Sequence, residues 1–190
     1  MNTRTAILDL AEDAARQQGS NGFSIGRLAK SVGIQKASMF HHFPSKPDLL
    51  DAVFERYSQE IYLWFDDLDK KQVTGGERVS RYLDLTRDIL QDGDSICLSI
   101  VLCVEQESLQ DELVDEVRIF QKRNVKWLAQ SFKAGLRDNS IKNVGSPKAE
   151  AAACLSLIDG ALVSARLHND VTHYDNAVKL LRSRLRRTGK

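Results

Sequence analysis

Proline is scarce in this chain, with 3 in 190 residues, and cysteine is equally rare at 3. So few prolines disfavour a sandwich or barrel of short strands joined by turns and favour helices. Cys97, Cys103 and Cys154 are too few and too scattered for a disulfide framework or a zinc finger. Reduced thiols and a cytoplasmic location are therefore expected. No apolar run approaches the roughly 18 residues of a membrane span, so no membrane partner is expected. The opening Met1-Asn2-Thr3-Arg4-Thr5 leads directly into an amphipathic pattern carrying Asp9, Glu12 and Asp13, which does not read as a signal peptide.

Catalytic signatures are missing too. There is no Gly-rich phosphate loop, no metal-ligand cluster and no Gly-x-Ser-x-Gly elbow, so neither an enzyme nor a cofactor is expected. His41 and His42 are adjacent, so on a helix they point in different directions, and no cysteine or carboxylate stands at ligand spacing. His168 and His173 flank a loop and read as surface groups, and no metal is expected.

What is present is charge asymmetry and helical periodicity. The formal net charge is +1, yet residues 1–50 carry 6 Lys and Arg against 4 Asp and Glu, residues 51–178 carry 15 against 22, and residues 179–190 carry 6 against none. Two basic ends around an acidic middle suggest that one end meets an anionic partner. Apolar residues recur at helical spacing throughout, and no segment alternates as a strand does. The expected helices run over 3–18, 25–32, 34–42, 45–68, 77–90, 96–104, 110–137, 149–167 and 175–187, with turns at 19–22 and 92–94 and a polar loop at 139–146. The fold class expected is all-α.

The segment "IGRLAKSVGIQKASMFHHFPSKPDLL" (residues 25–50) holds two helices too short to persist alone, parted by Gly33. They must pack on each other and on the first helix, which is the layout of a helix-turn-helix. Gln35, Lys36, Ser38 and His41 could reach base edges from the second of them, while Ser24 and the Ser45-Lys46 helix start could hold phosphates. Phe40 and Phe43 are expected in the core of this small unit.

With these residues in view, the chain resembles the TetR family of transcriptional regulators. The resemblance rests on Phe23-Ser24, Leu28-Ala29, Gly33-Ile34, Ser38, the run Phe40-His41-His42-Phe43, and Ser45-Lys46 with Leu49. It implies an N-terminal three-helix helix-turn-helix DNA-binding domain (1–45) and a larger helical ligand-binding and dimerisation domain (46–190). By the resemblance, Ser24 stands at a phosphate-contacting position, Gln35, Lys36 and Ser38 lie on the recognition helix, and His42 and Lys46 match residues that contact phosphates or orient that helix. Phe40 replaces a usual tyrosine and lacks its hydroxyl.

The resemblance also implies a homodimer, a palindromic double-stranded DNA operator and a small-molecule inducer. Two-fold pairing would set the recognition helices about 34–36 Å apart. Small residues in "AEAAACLSLIDGALVSARL", namely Ala153, Leu157, Gly160, Ala161 and Ser164, are candidates for the dimer interface. Tyr57, Ile61, Trp64, Tyr82, Phe120, Trp127 and Phe132 are candidates for the ligand pocket, although an aromatic stripe at helical spacing also reads as core. Residues 96–109 resemble a subgroup in which a cysteine reacts with oxidants or electrophiles. Cys97, close to a helix start, and Cys103 are the candidates, against the plainer reading of a small buried hydrophobe. A helical adaptor that binds only protein would leave the basic N-terminal motif without a purpose.

Overall fold

A computed structural model describes residues 2–90 and 94–186. Among them are nine α-helices: α1 (Thr3–Gln18), α2 (Ile25–Val32), α3 (Lys36–His42), α4 (Lys46–Lys70), α5 (Gly75–Asp88), α6 (Leu98–Val104), α7 (Asp111–Arg137), α8 (Pro147–His168) and α9 (Thr172–Arg182). A short 3₁₀ turn, Gln106–Ser108, lies between α6 and α7. The chain forms two compact units, one of residues 1–61 and 97–118, the other of residues 62–96 and 119–190. The all-α architecture expected from the periodicity is the one observed.

Local chemistry sets the helix ends. Asn2 caps α1 by accepting from the Arg4 N–H at 3.1 Å, and Ser24 caps α2 by accepting from the Arg27 N–H at 3.3 Å. Gly33 ends α2 in the left-handed region at φ 80°, where other residues are strained, and the Ile34 N–H returns to the Ala29 carbonyl at 3.0 Å. Ile34 is thus spent on closing α2, which explains why α3 begins at Lys36 rather than at Ile34. Ser45 and Asp48 cap α4 reciprocally, with the hydroxyl donating to the carboxylate at 2.6 Å and accepting from the Asp48 N–H at 3.3 Å.

In the first unit, α1 buries Ile7, Leu8, Ala11 and Ala15, and α2 buries Ile25, Leu28 and Ala29. Met39 from α3, and Phe43, Leu49, Val53 and Phe54, complete this core. An Arg56 guanidinium on α4 spans two carboxylates of α1, Asp9 at 2.5 Å and Glu12 at 2.9 Å. The forked geometry suits two acceptors one helical turn apart, which fixes the rotation of α4 against α1.

In the second unit, Phe65 stacks on Trp127 with centroids 4.6 Å apart, and Trp64 and Tyr82 pack around them. Tyr174 of α9 is fully buried, sharing its hydroxyl with Thr86 at 2.6 Å and with the Leu83 carbonyl at 2.8 Å. Gly75 starts α5 where the chain crosses α7, and a Cβ there would overlap the backbone of Ser131 and Gly135. Its N–H donates to Asp138 at 2.8 Å. The glycine is required by this approach, not by a turn.

Several expected boundaries shift for physical reasons. Helix α9 begins at Thr172 because the Asp170 carboxylate accepts both the Thr172 N–H at 2.8 Å and its hydroxyl at 2.7 Å. It ends at Arg182 because the following residues pair with the 139–146 loop. The Lys142 N–H donates to the Arg184 carbonyl and the Arg186 N–H to the Ser140 carbonyl, both at 2.8 Å, around a single antiparallel bridge between Ile141 and Leu185. That loop is therefore not merely polar, since Ser140 and Ile141 are buried. The turn at 92–94 and the tail beyond Arg186 lie partly or wholly outside the described residues. The basic C-terminal segment is tied by ion pairs, Arg182 to Asp84 at 2.6 Å and Arg184 to Glu150 at 2.9 Å.

Helix α8 corrects the expectation about apolar runs, because by length and composition it could cross a membrane. One face of it, Ala151, Cys154, Leu155, Ile158, Ala161, Leu162 and Ala165, is buried within its own unit, as in an ordinary core helix.

Asp159, on the same helix, carries a carboxyl that burial opposes. Desolvation pushes it up to about 6, only partly offset by a hydrogen bond with Gln121. The folded chain therefore binds this proton more tightly than the unfolded chain, and stability falls as pH rises from about 4 to about 6. Asp159→Asn should raise unfolding stability by about 1–3 kcal/mol at pH 7.5 and leave it unchanged near pH 4, as read by urea denaturation at the two pH values.

Candidate nucleic-acid interface

The outer face of α3 is built by exclusion. Met39 turns inward and is fully buried, so Lys36, Ala37, Phe40 and His41 are left exposed on the opposite side, with Gln35 beside them at the N-cap. Ser38 and His42 are half-buried at the flanks of this face. Gln35 makes no capping hydrogen bond with its side chain, so its amide is not spent on the helix end. The face thus carries an amide, an ammonium and an imidazole around one aromatic ring, all able to meet base edges or phosphates.

Phe43 is buried as expected, but Phe40 is not, being 43% exposed. It lies one residue beyond Met39, about 100° further round the helix, and so leaves the core. The Lys36 ammonium stands 6.0 Å from the centre of its ring, an i,i+4 pairing on the exposed face. Ala37 belongs to the same face and went unnoticed in the sequence, because its small apolar side chain carries no chemical signal. Arg4 and Lys30 are also exposed in this unit, and Arg4 lies 5.0 Å from the Phe43 ring. Ser24 is exposed, but its hydroxyl oxygen already accepts from Arg27.

Lys46 stands at a position expected to contact phosphates or to orient the recognition helix. Its ammonium donates to the Phe23 carbonyl at 3.0 Å and lies 4.6 Å from the centre of the Phe23 ring. Desolvation lowers its pKa, against the opposing charge of Glu105. Lys46 therefore fastens the start of α4 to the residue preceding the α2 cap, and orients the two short helices from behind.

The same unit contains α6, held at both ends. The Glu105 carboxylate accepts from the Ser20 N–H at 2.8 Å and from the Ser20 hydroxyl. At the other end, Cys97 is buried, with its sulfur 3.0 Å from the Tyr57 hydroxyl and 3.1 Å from that of Ser99. Cys103 is exposed and Cys154 is buried, with desolvation pushing the Cys154 thiol up to about 12.

Among the pocket candidates, Tyr57, Tyr82, Phe120, Trp127 and Phe132 are buried, and Ile61 and Trp64 are partly so. Tyr82 donates to the buried Asn124 at 2.7 Å and Trp127 to the exposed Asp69 at 3.0 Å, so both rings are oriented by polar partners. Among the dimer candidates, Ala153 and Gly160 are exposed and Leu157 and Ser164 half-buried, whereas Ala161 turns into its own unit's core and is not on that face. Ala152, Ser156, Val163 and Leu167 extend the exposed face instead. Small and apolar side chains facing outward at helical spacing were the available signal.

Comparison with known proteins gives this arrangement its class. The family of bacterial regulatory proteins, tetR family, matches residues 7–53, and the family described as BetI-type transcriptional repressor, C-terminal, matches residues 77–190. The chain belongs to the TetR family of transcriptional regulators, whose members are DNA-binding regulators and not enzymes. The HTH-type transcriptional regulator AcrR of Shigella flexneri is 38% identical over 59 residues, covering 31% of this chain and 27% of AcrR. The nucleoid occlusion factor SlmA of Vibrio campbellii is 25% identical over 169 residues, covering 85% of this chain and 82% of SlmA. A TetR-family regulator from Agrobacterium tumefaciens, known from its crystal structure, superposes with a TM-score of 0.89 at 27% identity, over 96% of this chain and 97% of that one.

Two substitutions separate the roles on this unit. Lys46→Ala removes a hydrogen bond and a cation–π contact, and should lower unfolding stability by about 1–2 kcal/mol. Lys36→Ala touches only the exposed face and should stay within about 0.5 kcal/mol of the parent chain, both values being read by urea denaturation.

Proposed function

We propose that this protein is a dimeric transcriptional repressor that releases a palindromic DNA operator when a small molecule binds its helical C-terminal region. In this reading residues 1–45 read DNA and residues 46–190 bind ligand and dimerise. The observation that carries it is the exposed α3 face of Gln35, Lys36, Phe40 and His41, which is set out by the inward turn of Met39 and lies within the residues 7–53 that the tetR family matches. Ser38 and His42 flank that face, Ser24 stands exposed at the start of α2, and Lys46 ties the start of α4 to Phe23.

Dimerisation is supported by the outward face of α8. Ala152, Ala153, Ser156 and Gly160 allow close helix approach, and Val163 and Leu167 supply apolar area that a monomer leaves in water. An inducer entering among Trp64, Tyr82 and Trp127 would have to part ring contacts of 5.7 to 6.4 Å. It would act by favouring a conformer whose head spacing no longer fits the operator. Helix α6 is the element through which such a change would reach the head, since Glu105 ties it to the α1–α2 turn.

The testing experiment is fluorescence anisotropy against duplex DNA from upstream of the protein's own gene, at two salt concentrations. Salt-dependent binding is expected, with Lys36→Ala costing specific binding about 1–3 kcal/mol and nonspecific binding less. Equal losses in both would remove Lys36 from base reading, and absence of any duplex binding would overturn the proposal.

A thiol switch is the second reading, favoured by the Cys97 sulfur that joins the start of α6 to Tyr57 on α4. Oxidation there would break a buried contact at one end of the helix that Glu105 holds at the other. Treatment with hydrogen peroxide should then release DNA from the parent chain and not from Cys97→Ser, whereas release that persists in Cys97→Ser and is lost in Cys103→Ser would shift the role to the exposed thiol. Binding indifferent to peroxide in every variant would dismiss this reading and leave the ligand-responsive one standing.

A further inference from the structure

Neither the DNA-binding face nor α6 makes use of the two histidines at the turn between α8 and α9. His168 is the last residue of α8 and His173 lies in the first turn of α9. Their rings are stacked nearly parallel, with centroids 4.1 Å apart and planes inclined by 9°. The turn that brings them together is well determined by its own chemistry. Asn169 takes the left-handed conformation at φ 49°, and the Asp170 carboxylate caps α9 through both the N–H and the hydroxyl of Thr172. Histidines five positions apart would not face each other on a continuous helix, but this turn folds one back onto the other.

We propose that His168 and His173 form a two-imidazole site for a divalent transition metal ion of the zinc, nickel or copper(II) type. Imidazole nitrogen is a favoured ligand for these ions. With metal–nitrogen bonds of about 2.0–2.1 Å, two nitrogens at a tetrahedral angle lie about 3.3 Å apart. A bound ion lies in the plane of each imidazole, so the stacked rings, 4.1 Å apart, must swing about their side-chain bonds from parallel to steeply inclined planes to converge on it, a motion that the exposed His168 has room to make.

The surroundings suit that role. The Ser164 hydroxyl stands 3.4 Å from Nδ1 of His173, the kind of oxygen partner that orients a ligating imidazole and leaves Nε2 for the ion. The Asp170 carboxylate is close enough to interact with both rings, which favours a cation between them. That carboxylate is committed to Thr172, so the protein supplies two ligands and water completes the shell. His168 is exposed and His173 half-buried, so the site is open to solvent. A bound ion would bridge the end of α8 to the start of α9 and restrain the turn between them.

The test uses full-length protein without a histidine tag, titrated calorimetrically with zinc chloride and, separately, nickel chloride. One ion per chain is expected, with His168→Ala and His173→Ala each lowering affinity about tenfold or more, and Ser164→Ala lowering it less. Circular dichroism should show all three variants folded, because the side chains removed are exposed or half-buried. Electron paramagnetic resonance of the copper(II) form should show coupling to two nitrogens in the parent chain and to one in each histidine variant. Absence of metal binding, unchanged affinity in either histidine variant, or copper coupling that does not lose one nitrogen would overturn the proposal. None of these readouts involves DNA, so they stand apart from the test of the regulator.

Discussion

The geometry of the first unit depends on one carboxylate. Glu105, at the end of α6, accepts both the N–H and the hydroxyl of Ser20, a residue that is only 1% exposed. Those donors sit just past the end of α1, where the chain has turned through Gly19 at φ 83°. A buried N–H and hydroxyl without partners would cost free energy, so the turn between α1 and α2 is stable in this form only while Glu105 is present. Gly19 is doubly constrained, because a side chain there would be strained by the backbone and would overlap the Glu105 carboxylate. The orientation of α2, and so of α3 beyond it, is therefore coupled to the position of α6.

One further contact adds to that coupling, and two others fix α1 and the α1–α2 turn against α4. Asn21 donates to the Ser108 hydroxyl at 3.1 Å, Arg56 clamps α4 to Asp9 and Glu12 of α1, and Lys46 clamps the start of α4 to Phe23. Every one of them is polar and directional. The apolar contacts around Ile7, Leu28, Met39 and Phe43 keep the three short helices together, but they tolerate sliding better than a forked ion pair does. A head held in register by hydrogen bonds rather than by packing alone can be released by displacing one partner. The same contacts that orient α3 are thus those through which α6 could misorient it.

How much of this was legible in the sequence follows from the kind of interaction involved. Helix periodicity, caps and breakers are local, so α1 and α2 could be read to the residue, with Gly33 closing α2, and the start of α4 could be read from Ser45. The motif around Phe40–Lys46 is also local, and it led to the family. Contacts between residues far apart in sequence left no such trace. Glu105 looked like one acidic residue among many, and nothing near Lys46 in sequence pointed to Phe23 as its partner. Ile141 seemed to belong to a polar loop, because neither its packing over Gly135 nor its bridge to Leu185 shows in the composition of the loop. Phe40 was misplaced for a smaller reason, since on a seven-residue helix one inward residue, Met39, already fills the available core.

The charge pattern acquires a sharper meaning once partners are counted. Of the cations in the first 50 residues, Arg16 pairs with Glu12, the Arg27 guanidinium donates to the Gly22 carbonyl, and Lys46 is held by Phe23. Arg27 is nonetheless exposed, as are Arg4, Lys30 and Lys36. Four exposed cations per head are few beside the six to ten phosphate contacts typical of tight, salt-sensitive DNA binding. In the proposed dimer, two heads at fixed spacing would double that number, and the second head would bind as an intramolecular event at high effective concentration. The weakness of one head then becomes useful. Binding would depend steeply on the spacing of the two, so a small displacement of α6 could cost both sets of contacts at once.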